Sequence, residues 1–389
     1  MSKVNTHKKK VNKKKKASLH VIQPNAAGID VGSTEIYVAV PHDRDSTPVK
    51  KFETFTEDLH LAAQWLKRCG ITSIVMESTG VYWIPVFQIL ESYGFEVFLV
   101  NAKHVKNVPG RKTDVQDCQW LQYLHSVGLL RGSFRPAQDV CSIRSLLRHR
   151  DSLIQMAASH IQHMQKALTQ MNIQLHNVIS DITGVTGLAI IDAVLSGERD
   201  PLKLAALKDH RIRADENTIA KSLMGDFRTE HLFTLKQALQ SYRHYRTLIV
   251  ECDSEIERHL KDFESRIDVK ENPIPPSTSS HQKPQRNEPA FDLREHFYRI
   301  LGTDLTQIPG ISTLTVHTLF SEIGPDLSAF PTPSHFCSWL GLCPNNKITG
   351  GKILSSRSRK VTNRAAHALR MAANALWNSQ SYLGNYQQF

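Results

Sequence analysis

Two aspartates three residues apart, Asp114 and Asp117, stand where an apolar helical pattern begins. Residues at this spacing lie on one face of a helix, so the two carboxylates could hold a metal ion together. Acids in a first helical turn are also ordinary, because they complement the positive end of the helix dipole. The spacing by itself favours this simpler role.

Two further acids change the interpretation. Asp30 lies inside one apolar run and Glu77 ends another, so both are expected on or at the ends of buried strands. A charged side chain there is costly unless a partner compensates it, and no Arg or Lys stands near either acid in the sequence. Carboxylates that converge at the strand ends of one sheet repel one another, and one or two divalent cations relieve that repulsion. The sequence therefore predicts a Mg²⁺ site formed by Asp30, Glu77, Asp114 and Asp117.

Hydrophobic patterning predicts the elements that position these acids. In chain order they are a strand and a turn over 28–33, strands 35–40 and 49–55, helix 58–68, a strand ending at Glu77, helix 83–92, strand 95–100 and the helix that carries the aspartate pair. A meander of three strands followed by alternating helices and strands is the order of the α/β ribonuclease-H-like fold. The sequence predicts this fold for the N-terminal domain.

The rest of the chain is predicted to be mainly helical. A long helix over 139–178 carries Arg144, Arg148 and Arg150, which suit either a solvated face or a nucleic-acid surface. The block 202–263 has apolar residues in helical register and is interpreted as a coiled-coil arm for dimerisation. The predicted divisions are a basic disordered arm over 1–22, the α/β domain over 23–138, a helical region over 139–268, a flexible Pro/Ser-rich linker over 269–292 and a mostly α-helical C-terminal domain over 293–389.

Composition narrows the class of partner. The chain has 389 residues and a net charge of +11, which favours a polyanionic partner. No apolar run is long enough to span a bilayer and no signal peptide opens the chain, so we expect a cytoplasmic protein without a membrane partner. The six cysteines show no CxxC spacing, and the histidines form no metal-binding pair in a supportive setting.

A second group of candidate residues lies near the C terminus. Hydroxyls, glycines and basic residues are concentrated over 345–360, where Gly350 and Gly351 would let the backbone approach a phosphate closely. The residues expected to contact nucleic acid are Lys112, beside the aspartate pair, and Lys352, Arg357, Arg359, Lys360 and Arg364. Such a loop could bind a phosphodiester or, with an activated hydroxyl, attack one. Its composition favours binding.

A short repeat, ITGV at 182–185 and IPGI at 308–311, precedes an apolar helix at both places. A glycine turn that opens a helix can present backbone N–H groups to a phosphate, as helix-hairpin-helix elements do. A plain corner between two helices explains the repeat equally well.

The chain resembles the DEDD-type insertion-sequence transposases, also described as bridge-RNA-guided recombinases. The matching segments are GIDVGS around Asp30, MESTGVYW around Glu77, RKTDVQDCQWL around Asp114 and Asp117, and, nearer the C terminus, IPGIS, WLGLCPNNKITGGK and SSRSRK. The resemblance implies a Holliday-junction-resolvase-like (RuvC-like) domain followed by a C-terminal transposase domain. It also implies that the four acids, Asp30, Glu77, Asp114 and Asp117, form an acidic tetrad that holds Mg²⁺ beside the scissile phosphate.

The same resemblance implies a serine nucleophile in the C-terminal domain that links covalently to DNA. Counted from Pro344 and back from Lys352, its place falls on Thr349, which departs from the family pattern. Ser355 is the second candidate. The further partners implied are donor and target DNA, a structured noncoding guide RNA and other copies of the chain, as a dimer or tetramer, with nucleoid association when DNA is bound.

Three alternatives stay open. A metal-dependent, structure-specific nuclease would use the tetrad to activate water and would form no covalent intermediate. An actin-like sugar kinase is suggested by the run 28–34, but the later glycine-rich phosphate loop that it needs is missing from the sequence. A nucleic-acid-binding protein that has lost its activity is the third, if Thr349 marks the loss.

Overall fold

The computed structural model describes residues 19–78, 80–101, 114–277 and 287–387. Lys112, the basic arm up to residue 18 and part of the predicted linker lie outside the described residues. Contacts within the chain divide it into two units, residues 1–134 and 135–389. Among the described helices, none has the length and apolar character needed to cross a membrane.

The first unit is built on one mixed sheet. Its strands are β1 (Ala26–Val31), β2 (Glu35–Ala39), β3 (Val49–Glu53), β4 (Ser73–Glu77) and β5 (Glu96–Val100). Its described helices are α1 (Thr56–Arg68), α2 (Trp83–Ser92) and α3 (Asp114–Ser126). The strand order is β3-β2-β1-β4-β5; β2 is antiparallel to β1 and β3, whereas β1, β4 and β5 are parallel. This is the predicted meander followed by parallel strands, the arrangement of a ribonuclease-H-like domain.

The two faces of β1 contact different helices. Ala27, Ile29 and Val31 point into a core that also contains residues of α1 and α2. Gly28 lies on the opposite face, where α3 packs so closely that a Cβ at this position would stand 2.3 Å from the backbone nitrogen of Gln122. Only glycine permits this approach.

Two hydrogen bonds fix the C-terminal half of α3 on the sheet. The side-chain amide of Gln122 donates to the backbone carbonyl of Ala26 at 3.2 Å. The buried His125 ring forms a hydrogen bond of 2.7 Å with the Ser73 hydroxyl. Leu121 of the same helix packs against residues of β4 and β5. The helix therefore runs opposite to β1, with its first turn toward the end of the strand that carries Asp30.

The second unit is mainly helical. Its described helices are α4 (Gln138–Gln170), α5 (Val185–Leu195), α6 (Pro201–Ala205), α7 (Glu216–Ser222), α8 (Thr229–Lys261), α9 (Leu293–Leu301), α10 (Thr313–Ile323), α11 (Pro333–Trp339), α12 (Arg364–Asn374) and α13 (Tyr382–Gln387). Two short strands, β6 (Lys347–Thr349) and β7 (Lys352–Ser355), form an antiparallel hairpin. The predicted helix over 139–178 ends at Gln170.

The coiled-coil arm predicted for 202–263 is not confirmed. Its longest helix, α8, packs antiparallel against α4 of the same chain. The apolar positions that suggested the arm are buried in this pairing: Leu235 and Leu239 lie in a core with Met164, and Ile249 lies in another core with Leu153. An amphipathic stripe predicts a helical partner, and here the partner is intramolecular.

The arginines of α4 serve this scaffold. Arg150 is buried and forms an ion pair with Asp253 on α8. Arg144 and Arg148 both reach Glu322 on α10, at 3.4 Å and 2.9 Å. The structure therefore places these three charges in internal ion pairs, which differs from both the solvated face and the nucleic-acid surface considered from the sequence.

We expect Gly28→Ala to lower the free energy of unfolding by about 1–3 kcal/mol, because α3 must move off the sheet to admit one methyl group. The midpoint of urea denaturation, monitored by circular dichroism, measures the loss. Val115→Ala trims an exposed side chain of the same helix and should change the midpoint little. Equal midpoints for Gly28→Ala and wild type would show that α3 does not approach β1 this closely.

Candidate active site

The strands place Asp30 and Glu77 side by side. β1 and β4 are parallel, and their register pairs Ile29 with Met76, so the next residue of each strand is an acid. Both acids lie on the α3 face of the sheet, because Gly28 and Val75, two residues earlier, contact α3 or pack with it. Sheet register alone thus brings two carboxylates together at the carboxyl ends of parallel strands.

The first turn of α3 supplies the other two acids. Asp114 is the first described residue of this helix, and Asp117 follows one turn later on the same face. Asp114 is exposed and Asp117 is half-buried. Since α3 runs antiparallel to β1, this turn faces the strand end at Asp30.

Asp30 lies within electrostatic reach of the other three acids. The pKa of Asp30 is raised from 3.8 to about 6, chiefly by burial. The next largest causes are the negative charges of the other three acids, in the order Asp114, Asp117 and Glu77. The structure therefore brings all four predicted residues into one electrostatic cluster, and we call these four acids the tetrad.

The tetrad has the donor chemistry for a hard divalent cation. All its ligand atoms are carboxylate oxygens, and a cation would relieve the repulsion that raises the pKa of Asp30. Within the described part of the chain, no three His, Cys, Asp or Glu side chains already stand in a metal-binding arrangement. The residues present thus suit a hard divalent cation in type and charge.

Three polar residues next to the tetrad were missed in the sequence. Tyr37 is the cross-strand neighbour of Asp30 on β2, and its hydroxyl donates to Glu35 at 2.9 Å. Lys51 on β3 donates to the same carboxylate at 2.9 Å. The hydrogen bond to Glu35 raises the pKa of Tyr37, and the charge of Asp114 adds to it. The alternation of 35–40 could have placed Tyr37 on this face, but only the pairing register shows that it lies opposite Asp30.

The C-terminal candidates lie on the β6–β7 hairpin in the second unit. Thr349 and Lys352 are cross-strand partners on either side of Gly350 and Gly351. Both glycines have positive φ, +52° and +78°, as a two-residue type I′ turn requires. Thr349 is exposed, whereas Ser355 is half-buried and accepts a hydrogen bond of 3.4 Å from the amide of Arg357. The hairpin thus presents Thr349 beside a lysine near its tip.

The predicted phosphate ligands divide into two groups. Arg359 donates to the hydroxyl and carbonyl of Ser338, and Arg364 pairs with Asp151 on α4 at 2.9 Å, so both have internal roles. The remaining three are exposed and have no ion-pair partner in the described part of the second unit: Lys352, Arg357 and Lys360.

Gly310 has a packing role. A Cβ at this glycine would stand 2.6 Å from the carbonyl oxygen of Ala372 on α12. The close approach of two backbones explains why the turn before α10 carries a glycine. This favours the helix-corner interpretation of the repeat at this position.

Two family models match the chain, and together they cover more than half of it. The family model of the IS110 DEDD transposases, described as a transposase, matches residues 27–173. The family model of the IS116/IS110/IS902 transposases matches residues 302–388. The chain belongs to the IS110 family of DEDD transposases. None of the curated proteins compared with this transposase matches it.

The two matches contain the two candidate sites. The first spans the whole tetrad and identifies the sheet domain as ribonuclease-H-like, and the second spans the β6–β7 hairpin. The transposase is therefore an insertion-sequence enzyme that acts on DNA, and the resemblance noted from its motifs is confirmed at the level of the family.

The raised pKa of Asp30 gives the transposase a pH-dependent stability. Between about pH 4 and pH 6 Asp30 binds more protons in the folded state than in the unfolded state, so its own contribution to stability falls as the pH rises through that range. Burial lowers the pKa of the His125 and His317 rings, and their contributions rise with pH. In metal-free buffer Asp30→Asn should remove this contribution of Asp30 to the pH dependence. It should also raise the free energy of unfolding at pH 7 by up to about 2 kcal/mol, which is less than the full pKa shift would give because Asp30 is half-exposed.

Urea denaturation at pH 4 and pH 7 in the presence of a chelator measures this effect. Asp43→Asn replaces an exposed aspartate of the same unit and should keep the wild-type pH dependence. If Asp30→Asn also keeps it, burial and the neighbouring acids do not raise the pKa of Asp30.

Proposed function

We propose that this transposase cuts and rejoins DNA strands by a metal-dependent phosphodiester transfer, with the tetrad at one reacting centre and a C-terminal hydroxyl as nucleophile. The convergence of the four acids from β1, β4 and the first turn of α3 carries the proposal, and their charges add to burial in raising the pKa of Asp30. Such a cluster is costly in an apoprotein and is useful where a cation must be held against a phosphate.

Bound Mg²⁺ would supply Lewis-acid stabilisation of the phosphate oxygens. The chain itself positions the ligands: Asp30 and Glu77 come from strands and are fixed by sheet register, whereas Asp114 and Asp117 come from a helix end held by the packing at Gly28. The Lys51–Glu35–Tyr37 network lies beside the tetrad and supports the strand that faces Asp30.

We favour Thr349 as the nucleophile. In the proposed step its Oγ forms a bond to phosphorus while the bond from phosphorus to the departing strand oxygen breaks. The hydroxyl proton leaves to solvent or to a carboxylate, and the departing oxygen takes up a proton. Lys352 is the cross-strand partner of Thr349, which suits an ammonium that draws the phosphate toward the hydroxyl. Ser355 is less accessible and already accepts a backbone hydrogen bond.

The tetrad and the hairpin belong to different units, so the proposed reaction requires both to meet at one phosphate. They can come from one copy of the chain or from two, and we propose a homo-oligomer, as a dimer or tetramer. The apolar residues of α8 that suggested a coiled-coil arm are buried against other helices of the same chain, so such an assembly must use other surfaces.

We further propose that a structured noncoding RNA selects donor and target DNA by base pairing, with nucleoid association when DNA is bound. The exposed cations, Lys352, Arg357 and Lys360, are suited to backbone phosphates and carry no sequence information themselves. This division of labour fits a chain with a net charge of +11.

A metal-dependent nuclease is the second candidate. The observation that favours it is Thr349, a secondary hydroxyl more crowded than serine, at the place of the nucleophile. In that reaction the tetrad would activate water and the hairpin would only bind DNA. The two functions differ in whether protein becomes linked to DNA.

The deciding experiment uses full-length protein, Mg²⁺, the RNA transcribed from the same element and junction DNA, with denaturing electrophoresis to detect protein linked to DNA. We expect an adduct in wild type, none in Thr349→Ala, and faster adduct formation in Thr349→Ser because the crowding methyl is removed. Thr247→Ala removes an exposed threonine of α8 and should leave the adduct unchanged.

Other outcomes identify other mechanisms. If Ser355→Ala loses the adduct while Thr349→Ala still forms it, the nucleophile is Ser355. Strand cleavage without adduct, abolished by Asp30→Ala, would establish the nuclease. DNA binding without cleavage in any variant would show a binding protein that has lost its activity.

Cation binding can be measured without DNA. We expect millimolar Mg²⁺ to raise the melting temperature of wild type, because a ligand that binds only the folded state stabilises it. Asp117→Asn removes one ligand charge and should weaken the rise, whereas Asp43→Asn should not. Identical shifts in all three proteins would place the bound cation elsewhere.

A further inference from the structure

The β6–β7 hairpin exposes large apolar side chains to solvent. Ile348 and Ile353 are 61% and 60% exposed, and Leu354 is 69% exposed. Ile348 and Ile353 are cross-strand partners and therefore share one face of the hairpin. Leu354 is the extra residue at the irregularity in register that follows. Three adjacent exposed aliphatic side chains on a two-stranded ribbon form a surface suited to contact with a partner.

The two faces of the hairpin differ in chemistry. Neighbouring residues of a strand point to opposite faces, so Thr349 and Lys352 lie on the face away from the isoleucine pair. The turn between them contains only Gly350 and Gly351, and a Cβ built on either glycine would have no atom within 4 Å. The ribbon therefore ends in a narrow tip with a polar side and an apolar side.

The charge around the hairpin identifies its partner. From residue 327 to residue 389 the chain has seven Lys and Arg residues and no Asp or Glu. Lys347 and Lys352 belong to the hairpin itself, and Arg357 and Lys360 follow it. A second copy of the same surface would bring like charges together, whereas a DNA duplex offers phosphates to the cations and base faces to the isoleucines.

We propose that Ile348 and Ile353 form a wedge that inserts into the base stack of duplex DNA next to the phosphate approached by Thr349 and Lys352. Aliphatic wedges on basic elements partly unstack a base step and bend the duplex, and the cost of unstacking is offset by the added contacts. In this arrangement one face of the ribbon holds the phosphate and the other deforms the bases beside it. The proposal rests on DNA as the partner and does not depend on which residue is the nucleophile.

The wedge is tested by measuring base unstacking in DNA duplexes. These duplexes span the joined ends of the insertion sequence that encodes this transposase. 2-Aminopurine is placed at successive positions along one strand, and its fluorescence rises where a step is unstacked. The protein is full-length, with its RNA and with a chelator in place of Mg²⁺, so that no strand is cut. We expect wild type to raise the fluorescence at one step and the double variant Ile348→Thr/Ile353→Thr to lose most of that rise.

Threonine is β-branched and favours strands, so the double variant should retain the hairpin. Its DNA binding, followed by fluorescence anisotropy, should stay close to wild type because the phosphate-binding cations are unchanged. Val250→Thr makes the same kind of change at an exposed site on α8 and should behave as wild type in both assays.

Three results would overturn the wedge. One is a fluorescence rise in the double variant equal to wild type, and another is no rise at any step in wild type that binds DNA. The third is a double variant altered in self-association, measured by analytical ultracentrifugation, but not in unstacking, which would make the apolar face a contact between copies. A failure of the proposed chemistry is separable, since it appears only in the adduct assay with Mg²⁺.

Discussion

The packing of α3 on β1 is the constraint on which the candidate active site depends. Helix and strand backbones meet at Gly28, where any side chain would collide with α3. This contact sets the distance between the helix end that carries Asp114 and Asp117 and the strand end that carries Asp30. The four acids repel one another, and the buried contacts of Leu121 and the hydrogen bond between His125 and Ser73 hold α3 against that repulsion. The fold thus stores an unfavourable charge cluster that packing elsewhere on the same helix stabilises.

The second unit meets a different demand, because it must hold a short hairpin that has little core of its own. The paired helices α4 and α8 form the scaffold, and ion pairs from α4 fix the neighbouring helices: Arg148 reaches Glu322 on α10 and Asp151 reaches Arg364 on α12. At the base of the hairpin Pro344 bridges to Ser358, and the amide of Asn345 bonds the carbonyl of Arg357. The base of the ribbon is thereby fixed, while its side chains remain available to a partner.

How much the sequence could predict depended on whether the signal was local. Strand alternation and helical period were enough to place Asp30, Glu77 and the aspartate pair on the right elements, and the acids themselves suggested why these elements meet. The α4–α8 pairing was not predictable in the same way, since an apolar stripe does not say whether its partner belongs to the same chain. The arginines of α4 were ambiguous for a similar reason: only the fold shows that Asp253 and Glu322 lie opposite them. Gly350 and Gly351 were expected to approach a phosphate, which stays a prediction, and the structure places them in a hairpin turn that the sequence analysis did not predict.

The opposite charges of the two candidate sites suggest how binding and chemistry are separated. Four carboxylates repel a DNA backbone, so the tetrad has no electrostatic reason to accept a phosphate until a cation neutralises it. The segment from residue 327 to residue 389 has no acid and attracts the same backbone without a cation. DNA would therefore be held by the C-terminal segment first, and only the approach of the strand to the tetrad would require the metal. In a transposase this order would have a clear benefit, because strands would be cut only after the DNA is held by the segment that carries the proposed nucleophile.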